Sequence, residues 1–391
     1  MCEARISRGR SWMSVCVIGL LICMPGVWLT GCLQRGPIRV GFAGELTGKH
    51  SDLGVHGRNA ALLAVETINA AGGIAGRPIE LLVRDDLGTP EGARSADREL
   101  IDADVVAILG HMTSVQSLAA LPVIEEAGVV LLSPTTSTVD LSGLDDHFFR
   151  VVSTNAQEAS ILARHIYERR GLSRLVVVYD SDNAAFTESF LRAFLETYHT
   201  LGGQAVQEAR FSSTAADLNL TSVVSDLQMS DAEGMLIIAS AYDSAFIAQQ
   251  TRINGWQVPL FVSGWAYTEA LLQNGGQAVE GLELVTPYNS SSQSELFLDF
   301  QERYQERFGR VPTFGAVFAY DAVLVLAAAL EKTGGGAEGL PQALCETQRF
   351  QGLVSTISLD EYGDAVRTHF LSTVQDGEFV ISMALEPEGI P

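Results

Sequence analysis

Val105-Val106-Ala107-Ile108-Leu109 is an unbroken apolar run, and Gly110-His111-Met112-Thr113-Ser114 leads out of it into a helix-period segment that ends at Ala127. Val129-Val130-Leu131-Leu132 follows and runs into Ser133-Pro134-Thr135-Thr136-Ser137-Thr138. Apolar runs too short for helices, separated by a helix, describe parallel strands buried on both faces and joined by a crossover. Upstream the same alternation holds. Ile38–Phe42 and Ile79–Val83 read as strands, and Leu53–Ala71 and Glu91–Ala103 as helices, the first closed by Gly72-Gly73.

Downstream the pattern restarts. Helices are expected over Ala156–Arg170, Phe186–Tyr198, Leu218–Met229 and Asp243–Ile253, and strands over Leu175–Tyr179, Ala205–Phe211, Met235–Ile238 and Leu260–Val262. Later helices, Glu295–Arg307 and Phe314–Leu330, precede strands near Leu353–Ser358, His369–Val374 and Phe379–Ser382; the tail from Pro387 to Pro391 is expected to fray. The fold class is therefore α/β, with two successive doubly wound (Rossmann-like) units. No repeat of 20 to 50 residues is present.

Of 391 residues, 47% are apolar and 18% charged, which suits a packed globular chain. Lys plus Arg number 25 against 47 Asp plus Glu, a net charge of −22. Such a chain repels phosphate backbones, so nucleic acid is excluded as a main partner. Cys2, Cys16, Cys23 and Cys32 crowd the N-terminus and leave Cys345 alone, which fits neither a disulfide scaffold nor structural zinc.

Arg5, Arg8 and Arg10 precede an apolar stretch from Trp12 to Trp28, then Leu29-Thr30-Gly31-Cys32. A basic region, a short apolar region and a small-residue stop make a secretory signal over residues 1–31. Leu-Thr-Gly-Cys resembles the lipobox of bacterial lipoproteins, which implies lipidation of Cys32. The rest of the chain is expected outside the cytoplasm, tethered to a membrane, in the periplasm or at the outer cell surface. No other stretch reads as long and apolar enough to span a bilayer.

Catalytic and cofactor motifs are missing. Gly41–Gly48 lacks the G-x-G-x-x-G spacing, no Walker lysine motif occurs, and G-x-S-x-G is absent. Seven scattered histidines form no H-E-x-x-H or Cys/His cluster. No enzymatic activity, cofactor or metal is expected. The loops after the third and fourth strands carry more: in an open parallel sheet, ligands sit beyond the carboxyl ends of strands. Hydroxyls and free N–H groups at helix starts there suit a carboxylate. Plain capping and turn roles remain equally open from these residues alone.

In order and spacing, several motifs resemble the leucine/isoleucine/valine-binding family of ABC-transporter solute receptors. They are Gly44-Glu45-Leu46-Thr47-Gly48, Ile68–Gly76, Asp85-Asp86, Gly110-His111, Ser133-Pro134, Glu280-Gly281 and Ala319-Tyr320-Asp321-Ala322. The resemblance implies a type I periplasmic-binding fold. Its two lobes, residues 32–153 plus 287–354 and residues 154–286 plus 355–391, would be joined by three crossover strands. A ligand in the cleft, hinge closure and signalling to a membrane permease are implied too, and a monomer is expected.

Position by position, Ser114 falls where the family has its carboxylate-binding serine. Thr135 falls where the backbone contacts the ligand, and Ser137 where a second hydroxyl stands. Phe186 replaces a usual tyrosine, and Tyr242 matches a ring that covers the ligand. Two positions depart from the family. Trp265 stands where branched-chain receptors carry a glutamate that pairs with the ligand ammonium, and Leu53 where an aromatic is frequent. Losing that anion weakens selection for a zwitterion, while Trp265 offers a face for an aromatic ligand; Asp243 is the nearby candidate to restore the charge. The reading is an extracytoplasmic receptor of an ABC importer for an amino acid or related small carboxylate. The alternatives are an aromatic-carboxylate receptor or a ligand-sensing regulatory module of the same fold. No kinase, methyl-accepting or DNA-binding segment is expected after the second unit, which favours transport.

Overall fold

The short apolar runs become strands because both of their faces are covered. In the computed structural model, which describes residues 36–48 and 51–385, the first part alternates strand and helix. The order is β1 (Ile38–Gly44), α1 (Ser51–Ala70), β2 (Ile79–Asp85), α2 (Pro90–Asp102), β3 (Ala107–Leu109), α3 (Ser114–Ala127), β4 (Val130–Ser133) and β5 (Phe148–Arg150). These strands pair in parallel in the order β2-β1-β3-β4-β5. Every residue of β3 and β4 is buried. The signal region, Cys32 and the tail from Pro387 lie outside the described residues.

Local chemistry sets the helix ends. Thr89 accepts the Gly92 N–H at 3.0 Å and Pro90 opens α2, a favourable N-terminus. Gly128, at φ +63°, closes α3 in the left-handed region that glycine tolerates. Gly110 is needed for a different reason: its φ is +145°, and a Cβ there would sit 2.3 Å from the Ala43 carbonyl oxygen.

The second part begins with α4 (Asn155–Arg164), which runs on as a π turn over His165–Arg169. It continues through β6 (Arg174–Asp180), α5 (Ala184–Thr200), β7 (Gln204–Phe211), α6 (Leu220–Gln228), β8 (Gly234–Ile238), α7 (Ala241–Ile253), β9 (Leu260–Val262), α8 (Glu269–Gly275) and β10 (Glu283–Thr286). Then come α9 (Glu295–Phe308), α10 (Phe314–Lys332), α11 (Leu340–Cys345) and three short strands, β11 (Phe350–Gln351), β12 (Thr356–Leu359) and β13 (Ala365–Val366). The hairpin of β14 (His369–Gln375) and β15 (Glu378–Leu385) follows. A seven-stranded sheet runs β15-β14-β10-β9-β8-β6-β7, parallel except for that hairpin, and β11-β12-β13 make a small antiparallel sheet.

The expected α/β architecture of two wound sheets is present, with differences in detail. Of the strand expected over Leu353–Ser358, only Thr356–Ser358 is strand, as part of β12. β5, β10, α8 and α11 add to the sequence reading. β5 and β10 carry charges that a strand pattern does not announce, and tertiary partners accommodate them. Arg150 reaches the Thr138 carbonyl at 2.7 Å and Asp364 at 2.5 Å, and Glu283 pairs with His165 and Arg170.

One expectation is corrected. By length and composition α10 is apolar enough to cross a membrane. Here it is a core helix instead, with 14 of its 19 residues buried and packed on α1. Its one mid-helix charge, Asp321, is buried against Arg367 at 2.6 Å. Arg367 also donates to the Val151 carbonyl at 2.5 Å and to the Ser355 hydroxyl at 3.3 Å, and its N–H reaches Ser153 Oγ at 2.8 Å. Its guanidinium lies 4.6 Å from the centroid of the Phe318 ring. This buried clamp ties α10 to the segments that follow β5 and precede β12.

Candidate functional site

α3 starts at Ser114 directly beyond β3, and the loop 134–138 leaves β4 beside it, so hydroxyl-bearing residues gather past the strand ends of the first sheet. Thr113 is extended, and its side chain accepts no N–H as a cap. The Ser114 side chain is buried and makes no hydrogen bond within the described residues. The loop is locked from below. Ser133 Oγ donates to the His111 carbonyl at 2.7 Å and accepts the Thr135 and Thr136 N–H groups at 3.3 and 3.0 Å. The Thr135 hydroxyl donates to the Met112 carbonyl at 2.6 Å.

His111 itself is held between two carboxylates, Asp86 at 2.7 Å and Asp97 at 3.2 Å. Burial alone would lower its pKa, but Asp97 and Asp86 outweigh it and raise the imidazole to about 10, so it is a buried cation at neutral pH. It serves as a support beneath the loop.

Asn155, at the start of α4, joins the two sides. Its N–H donates to the Ser137 carbonyl at 2.8 Å, its Nδ2 to the Phe186 carbonyl at 2.9 Å, and its Oδ1 accepts from Ser189 at 2.9 Å. The Val115 N–H at the head of α3 reaches Asn183 Oδ1 at 3.4 Å.

Between these elements lies a cavity that Ser114, Thr135, Ser137, Phe186 and Trp265 all line, as does Leu53. Phe186 meets Trp265 edge to face, with ring centroids 5.6 Å apart at 70°. Phe314 and Phe318 of α10 add apolar wall. Tyr242 is not brought in: it sits in the first turn of α7 with 51% of its surface exposed, while the buried face of that turn is Ala241, Asp243 and Ser244. Asp243 is not in the lining either. It is buried, and its Oδ2 accepts the Ser240 hydroxyl at 2.8 Å.

Two lining residues escape a reading of the sequence. Glu158, in the first turn of α4, is only 6% exposed, and its Oε1 accepts the Gly264 N–H at 2.5 Å. Burial raises its carboxyl to about 8, against the opposing pull of that N–H. His369, at the start of β14, is 1% exposed, and burial lowers its imidazole to about 4. In sequence, Glu158 reads as an ordinary acid at a helix start, and His369 as one of seven scattered histidines. Only the tertiary approach of the Gly264 turn and β14 puts them on the wall. The arrangement pairs hydroxyls and a helix N-terminus on one side with aromatic rings and one buried acid on the other. That is a binding surface for a small polar-apolar molecule. No group of three or more metal-ligating side chains occurs among the described residues.

Residues 37–378 match the family model described as periplasmic binding protein. A leucine-, isoleucine-, valine-, threonine- and alanine-binding protein of Pseudomonas aeruginosa is 23% identical over 335 residues, covering 84% of this chain and 87% of that protein. The structure superposes on the leucine-binding protein LivK of Thermotoga maritima with a TM-score of 0.82 at 25% identity, covering 90% of this chain and 99% of that one. It superposes equally well (TM-score 0.80, 23% identity, 90% and 97% coverage) on an ABC-transporter solute-binding protein of Rhodopseudomonas palustris in complex with 3,4-dihydroxybenzoic acid.

Proposed function

The chain belongs to the periplasmic binding protein family, and from that premise we propose that it is the extracytoplasmic receptor of an ABC importer. Its ligand is an amino acid or related small carboxylate, held in the cavity between the two sheets. It works by binding and release, without turnover, cofactor or metal, and hands the ligand to a permease as a monomer. The lobes are residues 32–153 plus 287–354 and residues 154–286 plus 355–391. Lipidated Cys32, behind the signal of residues 1–31, tethers it to the membrane.

The single observation that carries this reading is the meeting of Ser114, Ser137 and the α3 N-terminus in one cavity with Phe186 and Trp265. Ser114 and Ser137 donate hydroxyls to the ligand carboxylate, while Thr135 shapes the loop. The aromatic wall of Phe186, Trp265, Phe314 and Phe318 supports a second reading within the same class, a receptor for aromatic carboxylates.

A thermal-shift panel of amino acids, benzoates and phenylpropanoates tests the proposal. A ligand that binds only the folded state raises stability by RT ln(1 + [L]/Kd). At least one acid in the panel is expected to raise the melting temperature in the micromolar range. No shift with any of them at millimolar concentration would reject the reading.

A further inference from the structure

We propose that Glu158 is the anion that receives the ammonium group of the ligand, so that the cavity selects a zwitterionic amino acid with an apolar or aromatic side chain over a plain carboxylate. This rests on the carboxylate-receptor reading above and deepens it.

The geometry carries the assignment. Glu158 is more than nine-tenths buried and lines the cavity. Its Oε1 is fixed by the Gly264 N–H, and its Oε2 has no hydrogen-bond partner among the described residues. A buried carboxyl with an unused oxygen on a ligand cavity is costly unless something arrives to pair with it. Glu158 belongs to α4, Ser114 to the head of α3 and Ser137 to the loop after β4, so one cavity brings an acid and two hydroxyls together from three different elements, as a molecule with an acid and an amine requires.

Among the described lining residues Glu158 is the one acid. Among the described lining residues only Glu158 and His369 titrate, and the imidazole of His369 stays neutral above about pH 4. From α5 the wall receives Phe186 and Asn183, and from the Gly264 turn a backbone N–H and Trp265. Glu283 of β10 is taken by His165 and Arg170, and Arg367 of the neighbouring segment by Asp321. Asp243 is outside the lining, and its Oδ2 accepts the Ser240 hydroxyl. The anion that Trp265 displaces from its own position is thus supplied by a different element.

The mechanism has a protonic signature. The empty site holds Glu158 as a neutral acid at pH 7, its carboxyl being raised to about 8 by burial. An incoming ammonium favours the ionised form, so binding releases a proton to solvent. Affinity for an amino acid rises with pH by up to about tenfold per unit between pH 6 and 8, then levels off. A carboxylate without an amine shows no such rise.

The test compares phenylalanine with 3-phenylpropanoate, and leucine with 4-methylpentanoate, by titration calorimetry on the intact protein and on Glu158→Gln. Buffers of differing ionisation enthalpy report proton release. In the unaltered protein each amino acid is expected to bind roughly thirtyfold or more tightly than its desamino partner, with net proton release at pH 7. Glu158→Gln is expected to abolish both the preference and the proton release. Desamino acids that bind the unaltered protein as tightly as the amino acids, without proton release, would overturn the role of Glu158 and leave the carboxylate receptor standing. A preference that survives Glu158→Gln would overturn it equally. Failure of all four acids to bind the unaltered protein would reject both readings together. The proton count in the unaltered protein stands even if the variant folds poorly.

Discussion

Ser114 is the residue on which the carboxylate end of the site turns. Its side chain is buried on the cavity wall and makes no other hydrogen bond within the described residues. Ser114→Ala therefore removes one charge-assisted hydrogen bond and little else. It is expected to cost about 1.5–3 kcal/mol of binding, roughly ten- to hundredfold in Kd by calorimetry, with an unchanged melting temperature for the empty protein. Glu158 has the opposite signature. Its folded pKa, about 8, lies above the ordinary carboxylate value, so the folded state holds a proton that the unfolded state gives up. Stability from this group is intact below about pH 4 and falls as pH rises to about 8. In ligand-free protein, Glu158→Gln is expected to be neutral at pH 4 and to stabilise by a few kcal/mol at pH 8–9, read by denaturant melts at both values. Ser114 was legible because it follows an apolar run and heads a helix. Glu158 was not, since no local pattern distinguishes an acid that caps a helix from one that faces a ligand.

At the scale of elements, α3 after β3, the loop after β4 and the clamp on α10 decide where the cavity lies. The third and fourth strands and α3 could be read closely from apolar runs and a terminal glycine. α10 could not be placed, because its composition suits a bilayer as well as a core; only Asp321 against Arg367 marks it as packed inside the protein. Arg367 is spoken for by Val151, Ser153, Ser355 and Asp321 at once. Asp321→Leu leaves that guanidinium buried without its carboxylate. It is expected to destabilise by about 3–5 kcal/mol, seen as a lower urea midpoint at an unchanged m-value. Its conservative partner Asp321→Asn, which keeps an acceptor oxygen, should lose less. Equal melts for the unaltered protein and Asp321→Leu would remove the clamp from the account. Tyr242 belongs to this scale as well: its motif was legible, but the first turn of α7 buries Asp243 and leaves Tyr242 half exposed, and helix phase is set by packing against the sheet.

Across the whole molecule, the two wound sheets each bring strand ends and helix starts to a common space. The alternation of runs was enough to expect that architecture. The antiparallel β14–β15 hairpin at the end of the second sheet shows how a late segment returns to an earlier unit. Contacts at such separation in sequence leave no local mark, which is why His369 reaches the cavity unannounced. The central claim is that this space receives the free carboxylate of a small solute. Calorimetric titration of the intact protein with an acid that shifts its melting temperature, beside the methyl ester of the same acid, tests it most directly. The acid is expected to bind at least tenfold more tightly than the ester. An ester that binds as tightly as the acid would contradict the account.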